Sequence, residues 1–144
     1  MWQKFIFYLK RYGFAELFGG ILVLIGASIT FYLTGNKILA AYVGALSENI
    51  GFYGTIIVGD IIKAKRSSEL WTWKHSLPVL RNILLEFGGA ELLDSFVMRP
   101  GMIYLFTTLF TPYEFGALVG VVVSDVVFYA MAVLSAELTR KFRK

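Results

Sequence analysis

Four stretches of mostly apolar residues follow one another along the chain, and each is long enough to cross a bilayer as a helix. A hydrocarbon core of about 30 Å takes roughly 20 helical residues. The stretches run from about Gly13 to Thr34, Ile38 to Ile62, Ile83 to Phe110 and Tyr113 to Leu138. Their apolar runs are unbroken, whereas membrane-barrel strands alternate apolar and polar residues over about ten positions. The expected fold is an all-α integral membrane protein with four transmembrane helices, in a single membrane domain over residues 1–144. Composition points the same way. The chain is 57% hydrophobic and 17% charged, against about 45–50% and 25% in an average soluble domain. Those figures exclude disorder. The absence of cysteine excludes a disulfide scaffold and thiol chemistry. The first span is too long for a signal-peptide core, and no small-x-small cleavage site follows it before the turn, so it is read as part of the fold.

The connections arrange these spans. Gly35-Asn36-Lys37 and Thr111-Pro112 are short turns, so spans one and two, and spans three and four, pair as hairpins. Between them a polar segment of about 64–82 is expected to form a linker carrying Lys65, Arg66, Lys74 and Arg81, just past Lys63. Trp71 and Trp73 in this segment suit the headgroup level of a bilayer. Basic residues concentrate at Lys4, Lys10 and Arg11, in this middle connection, and at Arg140, Lys141, Arg143 and Lys144. Lys37 stands alone on the other side. By the positive-inside rule, both termini and the linker face the cytoplasm, and the protein is a multi-pass cell-membrane protein. The net charge of +4 then reflects orientation and contact with membrane lipids rather than nucleic-acid binding, because the cations flank spans and form no separate domain.

The two hairpins look like copies of one another. A shift of 75 residues places Gly13, Ala15, Glu16 and Leu17 on Gly88, Ala90, Glu91 and Leu92, Gly26 on Gly101, and Phe31 on Phe106. With one more residue, Ala41, Val43 and Gly44 fall on Ala117, Val119 and Gly120, Phe52-Tyr53 on Phe128-Tyr129, and Asn49 on Asp125. Repeat one covers about 12–63 and repeat two about 83–139. Each holds an even number of spans, so both copies enter the membrane from the same side. They are expected to be tandem-repeated helical hairpins with pseudo-two-fold symmetry about the membrane normal.

Charged residues inside the spans are the main functional signal. Glu48, Asp94, Arg99 and Asp125 all fall near mid-span, where a charge costs about 2.5–3.5 kcal/mol on insertion scales. They are expected to face the bundle interior, paired, protonated or wet. Glu16 and Glu91 extend an acidic track towards the cytoplasm, with Asp60 and Glu86 at its entrance, and Asn49 matches Asp125 in the repeat. Arg99-Pro100-Gly101 should kink or break span three, since proline lacks a donor and disfavours helix just before it. Glu48 shares a helical face with Gly44 and Gly51, so it points at protein. On span four, Gly116 and Gly120 form a second small-residue seam, open to another helix or to a second protomer in a homodimer.

Catalytic chemistry finds little support. The one histidine, His75, lies in the linker, which excludes a Glu-x-x-His di-iron site and bis-histidine haem within one chain. There is no Gly-x-Ser-x-Gly motif, and Gly19-Gly20 and Gly88-Gly89 lack the Lys-Ser/Thr of a phosphate loop. No cofactor is predicted, although Glu91 and Asp94 with Glu16 and Glu48 present the oxygen ligands a divalent cation requires. Four spans, small size and the first-span glutamate Glu16 are similar to the small multidrug resistance transporters. That likeness is one of size and carries over no residues, because those proteins lack this duplication. The leading expectation is a small membrane transporter or channel for a proton, a metal cation or a small cationic solute. Its site residues are Glu48, Asn49, Asp94, Arg99, Asp125, Glu16 and Glu91. The alternatives are a non-catalytic accessory or assembly subunit, bound to a partner membrane protein, and a metal-dependent lipid-modifying enzyme.

Overall fold

The protein is described by a computed structural model covering residues 2–142. Side chains are described for all of these except 2, 4, 5, 7–11, 83, 86–88, 132 and 135–142. Glu86 and the basic residues of the two chain ends therefore lie outside the described side chains.

The described residues form helices and no strand. In order these are α1 (Trp2–Thr34), α2 (Lys37–Arg66), α3 (Trp73–Leu93), a π-helical turn (Asp94–Met98), α4 (Arg99–Leu109) and α5 (Tyr113–Phe142). The first turn forms where its residues require. Gly35 adopts φ +66° after α1, a left-handed geometry that glycine takes without steric cost. Its N–H donates to the Phe31 carbonyl at 2.7 Å. Asn36 then caps α2, with Oδ1 accepting from the N–H groups of Ile38 and Leu39 at 3.0 and 3.1 Å.

The middle connection is shorter than expected. α2 continues to Arg66 and α3 begins at Trp73, so much of the 64–82 segment is helical. Its polar residues read as linker because they are too hydrophilic for a span. A helix extending beyond an apolar layer tolerates them equally well.

Close approach of small residues holds each hairpin together. α1 and α2 meet where a Cβ added at Gly51 would lie 3.1 Å from Gly19 Cα, and one at Gly44 would lie 2.9 Å from Ala27 Cβ. α4 and α5 meet where a Cβ at Gly116 would lie 2.7 Å from Thr107 Cα, and one at Gly120 would lie 2.8 Å from Ile103 Cα. The Gly116/Gly120 seam is thus filled by α4 of the same chain and is not open to a second protomer. Sequence spacing identified the seam but not its occupant.

Contacts across the hairpins place both short turns at one end of the bundle, called here the turn end. Tyr32 donates to Glu114 Oε1 at 2.5 Å, Phe31 stacks on Tyr113 with ring centroids 4.1 Å apart, and Lys37 Nζ donates to the Thr107 carbonyl at 2.9 Å. That carbonyl is in the last turn of α4, where no helical donor remains and a cation is favourable. The opposite end, with the chain termini and the α2–α3 connection, is the terminal end. The apolar core lies towards the turn end and gathers Val23, Ala27, Ala40, Ala41, Ile103, Tyr113, Ala117 and Val121.

Two helical segments, Tyr12–Thr34 and Tyr113–Met131, are long and apolar enough to cross a membrane. Only 17% and 28% of them is buried within the protein, unlike the core helices of a soluble domain.

Candidate functional site

Pro100 shapes the centre of the bundle. It has no N–H to offer the carbonyl of Phe96, four residues back. The chain responds by widening into the π turn Asp94–Met98, where the Arg99 N–H reaches the Asp94 carbonyl. Tyr42 on α2 supplies a donor for the Phe96 carbonyl, its hydroxyl lying 3.2 Å away. The expected break is therefore absent, and α3, the π turn and α4 follow one another without a non-helical residue.

This change of pitch makes the ion cluster. On a regular helix, residues five apart point about 140° away from each other, and Asp94 and Arg99 would face different neighbours. The wider turn brings them together. Arg99 Nε donates to Asp94 Oδ2 at 2.9 Å, and Nη2 lies 2.7 Å from the same oxygen. Nη2 also reaches Asp125 Oδ1 on α5 at 3.0 Å, and Nη1 pairs with Glu48 Oε2 on α2. Ser124 donates to the second Asp94 oxygen at 2.8 Å. Arg99, Asp94 and Glu48 are all buried. Asp125 is the accessible member, with 26% of its side chain exposed.

Glu16 joins the cluster without a direct ion pair to Arg99 among the described residues. Its carboxylate, with those of Glu48 and Asp125, forms a triad whose oxygens lie within 4.8 Å of one another. Tyr129 on α5 hydrogen-bonds to Glu16. Four carboxylates thus surround one guanidinium, a formal −3 when all are ionised. The arrangement has room for positive charge besides Arg99, delivered as protons on the carboxylates or as a bound cation. A hard cation would find its oxygens on Glu16, Glu48 and Asp125. That donor set has Asp125 where Glu91 and Asp94 were expected.

The remaining candidates make no hydrogen bond or ion pair to Arg99 among the described residues. Glu91 accepts a hydrogen bond from Tyr53, and Asn49 exchanges two with Ser95, at 3.0 and 3.3 Å. Asp60 is half-buried, with one oxygen shielded from solvent and lacking a partner among the described residues. Of the expected acidic track, Glu16 joins the Arg99 cluster, while Glu91 takes the Tyr53 hydroxyl as its partner and lies close enough for its charge to act on Asp94. Tyr42, Tyr53, Ser124 and Tyr129 were not among the expected site residues. Tyr53 falls on Tyr129 under the 76-residue shift, as Glu16 falls on Glu91 under the 75-residue shift, and that double match was the available signal. Ser124 falls on Glu48 under the 76-residue shift, and nothing in the spacing marked Tyr42.

Comparison with protein-family models, with curated proteins and with solved structures gives no match.

Proposed function

We propose that the chain is a four-span membrane protein of two duplicated hairpins that carries a proton, a metal cation or a small cationic solute through the Arg99 cluster. Large apolar side chains are exposed along every helix, among them Leu17, Ile50, Leu85, Leu105 and Val126. In water such a surface would aggregate; in lipid it is solvated. This supports four spans rather than the two that pass on apolarity alone. α2 and α3–α4 fall short because they hold the ions, which face inward and cost nothing at the lipid surface.

Paired contacts support the duplication. Tyr53 of the first hairpin bonds Glu91 of the second, and Tyr129 of the second bonds Glu16 of the first. A two-fold axis between the hairpins exchanges one pair for the other. Within the hairpins, Gly19 abuts Glu48 just as Asp94 meets Ser124, and these positions also coincide in the repeat.

The observation that carries the transport reading is the excess of carboxylates around one buried arginine, with Asp125 and Glu16 partly exposed. A structural ion pair needs one carboxylate for one arginine. Additional carboxylates, left open to a second charge, are what a proton or cation pathway requires. The apolar core and the Tyr32–Glu114 and Phe31–Tyr113 contacts at the turn end support reading that end as the closed side. Access is from the terminal end, which the positive-inside rule assigns to the cytoplasm. Transport then proceeds by rocking of α1–α2 against α4–α5. Purified protein in liposomes with an imposed potential tests this. Uptake of protons or of one member of a cation panel, rising with protein density, is expected. Fluxes equal to those of empty liposomes for every cation refute it.

A further inference from the structure

The connection between α2 and α3 is a built elbow. Past Arg66, the Ser67 N–H returns to the Lys63 carbonyl at 3.1 Å, Ser68 takes φ +56°, and the Glu69 N–H returns to the Ala64 carbonyl at 3.0 Å. On the other side, Trp71 Nε1 donates to Ser76 at 3.3 Å, and Ser76 is fully buried. The Thr72 N–H donates to His75 Nδ1 at 3.2 Å, which caps α3. Trp71 and Trp73 meet edge to face at 5.1 Å.

These bonds hold an amphipathic surface in place. Leu70 is 90% exposed, and Trp73 and Leu77, one helical turn apart, are each more than half exposed. Lys63, Lys65, Arg66 and Lys74 are exposed around them, and no ion pair among the described residues engages any of the four. The one carboxylate of the elbow, Glu69, lies 3.7 Å from His75. Apolar side chains held outward and ringed by unpaired cations do not suit water. They suit the boundary between acyl chains and anionic headgroups, where leucine and tryptophan insert and ammonium groups reach phosphate.

We propose that this elbow docks on anionic phospholipid headgroups and anchors the start of α3, the helix that leads into the Asp94–Arg99 turn. The proposal rests on the membrane reading above. Each exposed cation at an anionic surface strengthens the attraction about fivefold, equivalent to about 1 kcal/mol, and salt weakens it.

The test uses the full-length chain with Trp2→Phe, so that Trp71 and Trp73 are the fluorophores. It is reconstituted in phosphatidylcholine vesicles containing phosphatidylglycerol. A headgroup nitroxide is attached either to the anionic or to the neutral lipid, and tryptophan quenching is compared. Quenching at least threefold stronger from the anionic lipid is expected, declining with added salt. The preference should vanish when Lys63, Lys65, Arg66 and Lys74 are all changed to Gln. Equal quenching by the two lipids, or an undiminished preference in the quadruple variant, overturns the elbow proposal. Alkaline carbonate extraction of the same vesicles separates this from failure of the membrane reading. A chain retained in the membrane leaves that reading standing whatever the quenching result, and a chain released by carbonate overturns both.

Discussion

Asp94 and Arg99, five residues apart on one strand of chain, are joined through a π turn that sets Asp94 Oδ2 2.7 Å from Arg99 Nη2. The pairing depends on Pro100, which forbids the regular bond, and on Tyr42, which donates to the carbonyl that Pro100 leaves. Tyr42→Phe removes that donor and should destabilise the protein by about 1 kcal/mol. In a Pro100→Ala background the backbone N–H is restored, and the same substitution should cost less. A double-mutant cycle of thermal unfolding in detergent measures this coupling. Simple additivity contradicts the assignment.

Arg99 holds together α2, the π turn and α5. Arg99→Gln leaves buried carboxylates without their cation and should lower stability by about 3–5 kcal/mol. Arg99→Lys should recover little of it, since an ammonium cannot reach three carboxylates in the guanidinium's planar geometry. Asp94→Asn, at the most heavily bonded acid, should cost more than Asp125→Asn at the partly exposed one. Denaturation midpoints of the four variants check the ranking.

Glycines separate into those that touch backbone and those that do not. Gly116→Ala and Gly120→Ala place a Cβ within 2.6–2.8 Å of α4 backbone atoms and should each cost about 1–3 kcal/mol through forced separation of α4 from α5. Gly20→Ala meets nothing within 4 Å and should be neutral or stabilising. Thermal midpoints that fail to separate the two groups would contradict the packing described here.

Much of this was legible in the sequence, and the reasons are local. Gly35 and Asn36 mark the first turn because one tolerates positive φ and the other caps a helix. Mid-span ions had to face protein, so the convergence of Glu48, Asp94, Arg99 and Asp125 followed from cost alone. What spacing concealed was geometry that departs from 3.6 residues per turn. On a regular helix Asp94 and Arg99 fall on opposite flanks, and only the π turn unites them. Glu16 was expected towards the cytoplasm but reaches the cluster, while Glu91, its match under the 75-residue shift, meets Tyr53. Asn49 in place of a second Asp, and no arginine at the first-hairpin position matching Arg99, leave that half without its own ion cluster.

The turn end offers a test of movement. The chain has no cysteine, so an introduced pair is unique. Tyr32→Cys with Glu114→Cys places two thiols at exposed positions on opposite hairpins. Bridging them with a bifunctional maleimide should abolish transport, while the same reagent on either single variant should not. Full activity after complete cross-linking would refute rocking of the hairpins.

The most direct test compares cation and proton flux through wild-type protein and the Asp125→Asn variant, in liposomes matched for folded protein. The substitution keeps the side chain's shape and removes the accessible charge beside Arg99. Wild-type flux well above empty liposomes and variant flux close to that baseline are expected, with helix content and monodispersity unchanged. Equal flux through both proteins would contradict it.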